Sequence, residues 1–235
     1  MAGRKKKDTK VLVARNTAIG FITGIAILIF GFGTYVSTGL SEPEIGAEGD
    51  YREVEQPKPR RKGAPIEVVE FFSYTCIHCK NFDPLIEEWA AEQGDNVRFS
   101  RTPAMFSPIQ TMLGRTYLTL LENDALEQNH MRIFRAIHDA GRQFLTPEMV
   151  ADYVDGRGIS KEDFLKAFNS PQMRRATADA ERDVRNFRIA ATPSLLVGGQ
   201  YVVGMTSGGQ QRALKVAEYL IDKIRSEEAP PSSAE

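Results

Sequence analysis

The sequence predicts an α/β protein in which a long helical segment interrupts the strands. A short apolar strand runs directly into a Cys-x-x-Cys pair at the start of a helix. Residues 107–188 then carry helical patterns alone, and strands return after residue 188 as a hairpin followed by a last helix. These observations predict one α/β domain, residues 64–106 and 189–226, with a helical insertion at 107–188.

The N-terminus differs in charge from the rest of the chain. Residues 1–16 carry a net charge of +5, so the remainder carries −6 of the total of −1. A main domain of that sign gives no support to nucleic-acid binding, which needs a basic face. The hydrophobic fraction of 42% is that of a globular protein with an added apolar segment.

The added segment is an uncharged run over residues 16–41, with an apolar centre at 18–36. That length is enough to cross a bilayer as a helix, so we expect a transmembrane anchor at 18–40. Basic residues precede it and acidic residues follow it, which places residues 1–17 in the cytoplasm and the domain outside the inner membrane, in the periplasm or its equivalent. A cleaved signal peptide is the alternative. The length of the run and the lack of a small-x-small site favour a retained anchor, and both readings export the domain.

Residues 41–63 are polar and contain several prolines, which predicts a linker. Residues 51–54 within it are expected to form a short edge strand. The tail at 227–235 has a disordered composition.

The central feature is the pair Cys76 and Cys79, the only cysteines in the chain. Residues 66–72 before them are rich in β-branched and aromatic side chains and predict a buried strand, and a helix is predicted from the pair to about residue 92. The pair therefore lies at a helix N-terminus, where unpaired N–H groups and the helix dipole favour a thiolate. The thiolate is the nucleophilic form of cysteine.

Other uses of this pair fit less well. A structural disulfide across two residues closes a very small loop and removes little entropy from the unfolded chain. A zinc site needs about four ligands, and outside the motif the only histidines are His130 and His138, which we expect on helix surfaces. Redox chemistry is the favoured use, and it requires no metal or organic cofactor.

The remaining elements follow from local signals. Residues 96–101 alternate as a second strand should. Helix starts in the insertion are marked by a capping hydroxyl residue, in three cases before proline: Ser107, Thr146, Ser160 and Ser170. Two strands at 194–197 and 200–203 flank a Gly-Gly pair, which predicts a tight hairpin, and Ser207 is expected to cap the last helix.

Two stretches resemble the DsbA-type thiol:disulfide oxidoreductases. Residues 70–79 (Glu-Phe-Phe-Ser-Tyr-Thr-Cys-Ile-His-Cys) are similar to that family's active-site stretch. Residues 191–201 (Ala-Thr-Pro-Ser-Leu-Leu-Val-Gly-Gly-Gln-Tyr) resemble its cis-proline loop and hairpin. The resemblance covers roughly residues 51 to 226 and implies a thioredoxin-like fold with an inserted helical domain.

The resemblance also implies roles for the residues of the motif. Cys76 is similar to the attacking cysteine, Cys79 to the resolving cysteine, and His78 to the histidine between them. Glu70 matches a buried acid beneath the disulfide that shuttles a proton. Ile77 departs from the family, which often has proline at that position.

In the second motif, Pro193 matches the cis-proline that faces the disulfide, and Thr192 the residue that meets substrate backbone. Thr192 replaces a frequent valine and is also found in disulfide isomerases. Together with Ile77, it leaves the redox potential and substrate range open.

The function that this resemblance implies is protein thiol–disulfide exchange, with the Cys76–Cys79 disulfide donated to reduced exported proteins. A membrane quinone-linked oxidase is the implied partner for reoxidation. One alternative is an isomerase or reductase on the same fold. The other is a non-redox peptide-binding or chaperone module.

Overall fold

The computed structural model describes residues 20–30, 44–205 and 208–228. The chain divides into two units, residues 1–44 and 45–235. In the first unit, residues 20–30 are helical and expose large apolar side chains such as Phe21, Leu28 and Phe30. Across the three described ranges, no helix has the length and apolar character needed to span a membrane. Most of the predicted 18–40 anchor lies outside these ranges, as do residues 1–17, the expected cap Ser207 and residues 229–235.

A five-stranded sheet forms the centre of the second unit. Its strands are β1 (Tyr51–Glu53), β2 (Ile66–Phe72), β3 (Val97–Pro103), β4 (Ser194–Val197) and β5 (Tyr201–Gly204), in the order β1-β5-β4-β2-β3. Only β2 and β3 run parallel, while the other neighbours are antiparallel. β2 is paired on both sides and core layers cover both faces of the sheet, so every residue of β2 except Glu67 is buried.

The hairpin between β4 and β5 forms as the sequence predicts. Gly198 and Gly199 have positive φ angles of 59° and 68°, as a two-residue turn of type I′ requires. The Gln200 N–H donates to the Val197 carbonyl at 3.0 Å and closes the turn. On its other side, β4 pairs antiparallel with β2, with Phe71 opposite Ser194.

Seven helices surround the sheet in the described part of the second unit. They are α1 (Ile77–Glu92), α2 (Pro108–Glu122), α3 (Leu126–His138), α4 (Pro147–Val154), α5 (Lys161–Phe168), α6 (Pro171–Asn186) and α7 (Gly209–Glu228). A short 3₁₀ helix, Gly94–Asn96, precedes β3. The four predicted capping hydroxyls of the insertion each accept a hydrogen bond from a backbone N–H in the first turn.

The core has a layer on each side of the sheet and a third part within the insertion. One face of the sheet packs against α1 and α7, and the other against the end of α6. The insertion core includes Phe72, Tyr74 and Cys79 as well as side chains of α2 to α5. The helical insertion therefore packs directly against the strand end and the turn that precede α1.

Part of the predicted linker at 41–63 packs against the domain, including the short edge strand expected at residues 51–54. Residues 51–53 form β1, which pairs antiparallel with β5, and Val54 is buried in the core. Asp50 is also buried, and its carboxylate forms a paired contact with Arg212 on α7. These contacts attach the chain to the domain more than ten residues before the predicted start at residue 64, because β5 leaves an edge that β1 can pair with.

Candidate active site

Cys76 occupies the N-cap position of α1, where the chain turns from β2 into the helix. Its Sγ lies 3.3 Å from the carbonyl oxygen of Thr192, to which the thiol form donates. The pKa of Cys76 falls to about 5 because the Cys79 side chain hydrogen-bonds the sulfur. The Thr192 side chain and the backbone N–H groups of Cys79 and His78 add to this effect, and partial burial opposes it.

Cys79 has the opposite environment. It lies one turn into α1, is completely buried and belongs to the core of the insertion. Burial raises the pKa of Cys79 far above that of a free thiol, and its hydrogen bond to Cys76 and the charge of Glu70 act in the same direction. Neither cysteine is in a disulfide in this structure. One sulfur is thus ionised and accessible at neutral pH, while the other is protonated and shielded.

The loop before β4 reaches the same site from the far end of the sequence. The Thr192–Pro193 peptide bond is cis, as the family resemblance led us to expect. Thr192 contacts the sulfur of Cys76 although 116 residues separate them in the chain. Pairing of β4 with β2 explains this contact, because Ser194 lies opposite Phe71, five residues before Cys76.

Glu70 lies beneath the pair on β2 and is 1% exposed. Its Oε2 accepts a hydrogen bond from Arg101 Nε at 2.9 Å, across the parallel pairing of β2 with β3. Burial raises the pKa of Glu70 to about 7, although the charge of Arg101 opposes the shift. Near neutral pH this carboxyl group can therefore either hold or release a proton.

Arg101 connects Glu70 to two further carboxylates. Its Nη1 donates to Glu87 at 2.6 Å, and its Nη2 lies 2.9 Å from Asp83 Oδ1. Burial alone would lower the pKa of Arg101, but the three carboxylates outweigh it and the net shift is upward. Asp83 also contacts His130 Nε2 at 2.9 Å. A buried chain of ionisable groups thus extends from beneath the cysteines to helix α3.

Comparisons with known proteins agree with this geometry. The family model described as thioredoxin matches residues 61–216. The thiol:disulfide interchange protein DsbA of Azotobacter vinelandii is 36% identical over 199 residues, which cover 84% of this chain and 92% of that protein. The crystal structure of Pseudomonas aeruginosa DsbA has 35% identity and a TM-score of 0.72, over 76% of this chain and 93% of that one. The crystal structure of the oxidoreductase DsbA from Xylella fastidiosa has 31% identity and a TM-score of 0.72, over 78% of this chain and 100% of that one.

This chain belongs to the DsbA family. Its second unit has the thioredoxin-like fold with a helical insertion, and its activity is that of a protein disulfide oxidoreductase. A non-redox binding module is not favoured, because the named relatives are thiol:disulfide interchange proteins.

Of the predicted site residues, the structure brings five together: Cys76, Cys79, Thr192, Pro193 and Glu70 in the arrangement described above. The other two, Ile77 and His78, are exposed at the surface of the first turn of α1. The His78 carbonyl accepts from Gln210 at 2.7 Å. Within the described ranges the His78 imidazole forms no hydrogen bond or ion pair, so its backbone N–H rather than its ring contacts the sulfur.

Sequence reasoning missed Arg101, Asp83 and His130. The prediction that His130 lies on a helix surface is wrong, because its ring is buried between Asp83 and Tyr74. The available signal was its spacing of four residues from Phe134, which places both on the apolar face of α3. In the described ranges, no group of three or more His, Cys, Asp or Glu side chains is arranged to hold a metal ion.

Proposed function

We propose that this DsbA-family chain is a disulfide oxidase of exported proteins, with Cys76 as the attacked and attacking sulfur. A substrate thiolate attacks Cys76 of the Cys76–Cys79 disulfide, forming a substrate–Cys76 disulfide and releasing Cys79 as the leaving thiolate. A second substrate thiolate then attacks the substrate's own sulfur and displaces the Cys76 thiolate. The substrate loses two electrons and two protons. The enzyme disulfide gains both electrons and Cys79 takes up one proton, while the other proton passes to solvent because Cys76 remains a thiolate.

The single observation that carries this direction is the unequal pair of sulfurs. Stabilisation of the Cys76 thiolate, whose pKa is about 5, exists only in the reduced protein, because a sulfur in a disulfide has no charge. Every such interaction favours the reduced enzyme and strengthens it as an oxidant. Low basicity also makes Cys76 the better leaving group in the mixed disulfide, which favours release of oxidised substrate.

Glu70 supports the proton transfer that this exchange needs. Cys79 leaves as a thiolate in a buried site where its pKa is raised, so it requires a proton. With a pKa of about 7, Glu70 is the buried group near it that can supply this proton and later recover one. Once the proton has left, Arg101 stabilises the buried carboxylate of Glu70 by its charge and its hydrogen bond.

Thr192 and Pro193 form the part of the site that meets substrate. Their loop leads into β4 beside the reactive sulfur, so an extended substrate segment can align along it by backbone hydrogen bonds. Ile77, with 43% of its surface exposed, offers an apolar contact next to Cys76. His78 adds a polar ring at the same edge of the site.

We further propose that residues 18–40 anchor the chain in the inner membrane, with residues 1–17 in the cytoplasm and the catalytic domain in the periplasm. The uncharged run and the basic residues before it support this arrangement. The exposed apolar side chains of residues 20–30 suit a lipid environment. Reoxidation then falls to a membrane quinone-linked oxidase, which accepts two electrons from Cys76 and Cys79 by the reverse exchange.

Three experiments test these proposals. Equilibration with glutathione redox buffers should give a potential above about −180 mV, whereas thioredoxin lies at about −270 mV. The Cys76→Ser variant should neither oxidise a reduced peptide nor trap it. Cys79→Ser, first converted with oxidised glutathione to the Cys76–glutathione disulfide, should trap a peptide with one thiol as a mixed disulfide at Cys76 and release reduced glutathione. A potential near that of thioredoxin would replace the oxidase assignment by a reductase.

Alkaline carbonate extraction should leave the full-length chain in the membrane pellet, and a released shorter product would show cleavage instead.

A further inference from the structure

The turn that places Cys76 at the start of α1 is held by the helical insertion. The Cys76 N–H donates to the Ser73 carbonyl at 3.0 Å, which closes a four-residue turn with Tyr74 as its first central residue. From α2, Gln110 donates to the Thr75 hydroxyl at 3.0 Å. Three of the four residues in this turn, Tyr74, Thr75 and Cys76, thus have hydrogen bonds or packing contacts with the insertion.

Tyr74 is held at both of its ends by histidines of α3. The His138 Nε2 lies 2.9 Å from the Tyr74 carbonyl oxygen, and because a carbonyl only accepts, this nitrogen carries the hydrogen. The Tyr74 hydroxyl lies 2.8 Å from His130 Nδ1. The other ring nitrogen of His130 faces the carboxylate of Asp83 and donates to it, so Nδ1 accepts from the tyrosine.

The sequence of α3 explains why both histidines reach the same residue. His130, Phe134 and His138 are four residues apart and lie on one face of the helix. The Tyr74 ring packs against this face, with its centroid 5.3 Å from His130 and 4.9 Å from Phe134. His130 is 8% exposed and Tyr74 only 1%, so little water can replace the hydrogen bond between them, while His138 is half-buried.

We propose that His130 and His138 are positioning residues for the exchange reaction, acting through Tyr74 on the turn that presents Cys76. By fixing the carbonyl and the hydroxyl of Tyr74, they hold the first turn of α1 so that the backbone N–H groups of His78 and Cys79 reach the sulfur. The helical insertion thereby sets the reactivity of a cysteine that belongs to the thioredoxin-like domain. This inference rests on the proposed role of Cys76 as the reactive sulfur.

A purely structural role for these contacts predicts a different outcome. Loss of a buried hydrogen bond lowers the free energy of unfolding wherever the bond lies. Only a positioning role also moves the acidity of Cys76 and the equilibrium with glutathione. Tyr153 provides a matched control, because its hydroxyl donates to the Arg132 carbonyl at 3.2 Å within the same insertion but away from the turn.

The test compares Tyr74→Phe, His138→Leu, His138→Gln and Tyr153→Phe with the unmodified protein. The readouts are thiolate absorbance of the reduced protein from pH 3 to 9 and the glutathione equilibrium constant. We expect Tyr74→Phe and His138→Leu to lower the acid dissociation constant of Cys76 about five-fold, the effect of one typical hydrogen bond. The glutathione constant should move in the direction of a weaker oxidant. His138→Gln keeps an N–H at the same place and should stay within about two-fold of the unmodified protein, as should Tyr153→Phe.

Unchanged Cys76 acidity in Tyr74→Phe and His138→Leu, with lower stability in urea, would overturn the positioning role. If His138→Leu does not fold, Tyr74→Phe decides the matter, since it removes a single oxygen. Failure of the proposed function is distinguishable, because the unmodified protein would then lack a thiolate that titrates well below the free-thiol range.

Discussion

The ionisation of Cys76 should make the reduced protein more stable than the oxidised protein, and this advantage should vanish in acid. The perturbation is a change from pH 7 to pH 4, applied to both redox states. In the reduced protein the pKa of Cys76 is about 5, compared with 9.0 for an unperturbed thiol. In the disulfide, Cys76 does not titrate at all.

The sign follows from the lowered pKa. Stabilisation is complete above the ordinary thiol pKa and is lost as the pH falls through the folded value of about 5. From the two pKa values, the ionisation of Cys76 adds about 2.7 kcal/mol to the free energy of unfolding of the reduced protein at pH 7 and almost nothing at pH 4. Because the sulfur is half-buried, solvent screens it, so we expect a loss of about 1–2 kcal/mol.

The assay is urea unfolding of the reduced and the oxidised protein at both pH values, followed by the fluorescence of Trp89, the single tryptophan. Glu70 and the other carboxyl groups titrate in both redox states, so most of their contribution cancels in the difference. Reduced Cys76→Ser serves as the control without an ionising sulfur. A difference between reduced and oxidised stability that stays the same from pH 7 to pH 4 would refute the reasoning.

Three further predictions concern the same site. Brief alkylation of the reduced protein at pH 5–6 should label Cys76 and leave Cys79 unmodified, as peptide mass analysis can check; equal labelling would contradict the assigned environments. Thr192→Val removes a hydroxyl that hydrogen-bonds the thiolate and should raise the pKa of Cys76 by roughly half to one unit, measured by thiolate absorbance; no rise would mean that the hydroxyl does not contribute. Arg101→Met leaves buried carboxylates without their counter-charge and should lower the free energy of unfolding at pH 7 by about 3–5 kcal/mol, with a smaller loss at pH 4, where Glu70 is protonated. Glu70→Gln should lower the free energy of unfolding much less than Arg101→Met. An equal loss of stability in both variants would contradict the assigned role of Arg101 as a buried counter-charge.

Much of the secondary structure and the reactive pair followed from local sequence. Capping residues such as Ser107 and Ser170 satisfy backbone groups within one helical turn, so their effect does not depend on distant parts of the chain. Two glycines in succession fix a tight hairpin for the same reason. The placement of Cys76 at a helix N-terminus likewise needed only the strand before it and the helix after it.

The tertiary structure decided which distant residues meet at the pair. Arg101 lies in a stretch whose alternating sequence predicts only a strand. The parallel register of β2 with β3 is what places it opposite Glu70. The contact of Thr192 with Cys76 required β4 to pair with β2. His130 is a histidine on an amphipathic helix, and its burial depends on the packing of α3 against Tyr74. Sequence periodicity gives the face on which a side chain lies, whereas its partner and its pKa depend on which surface packs against that face.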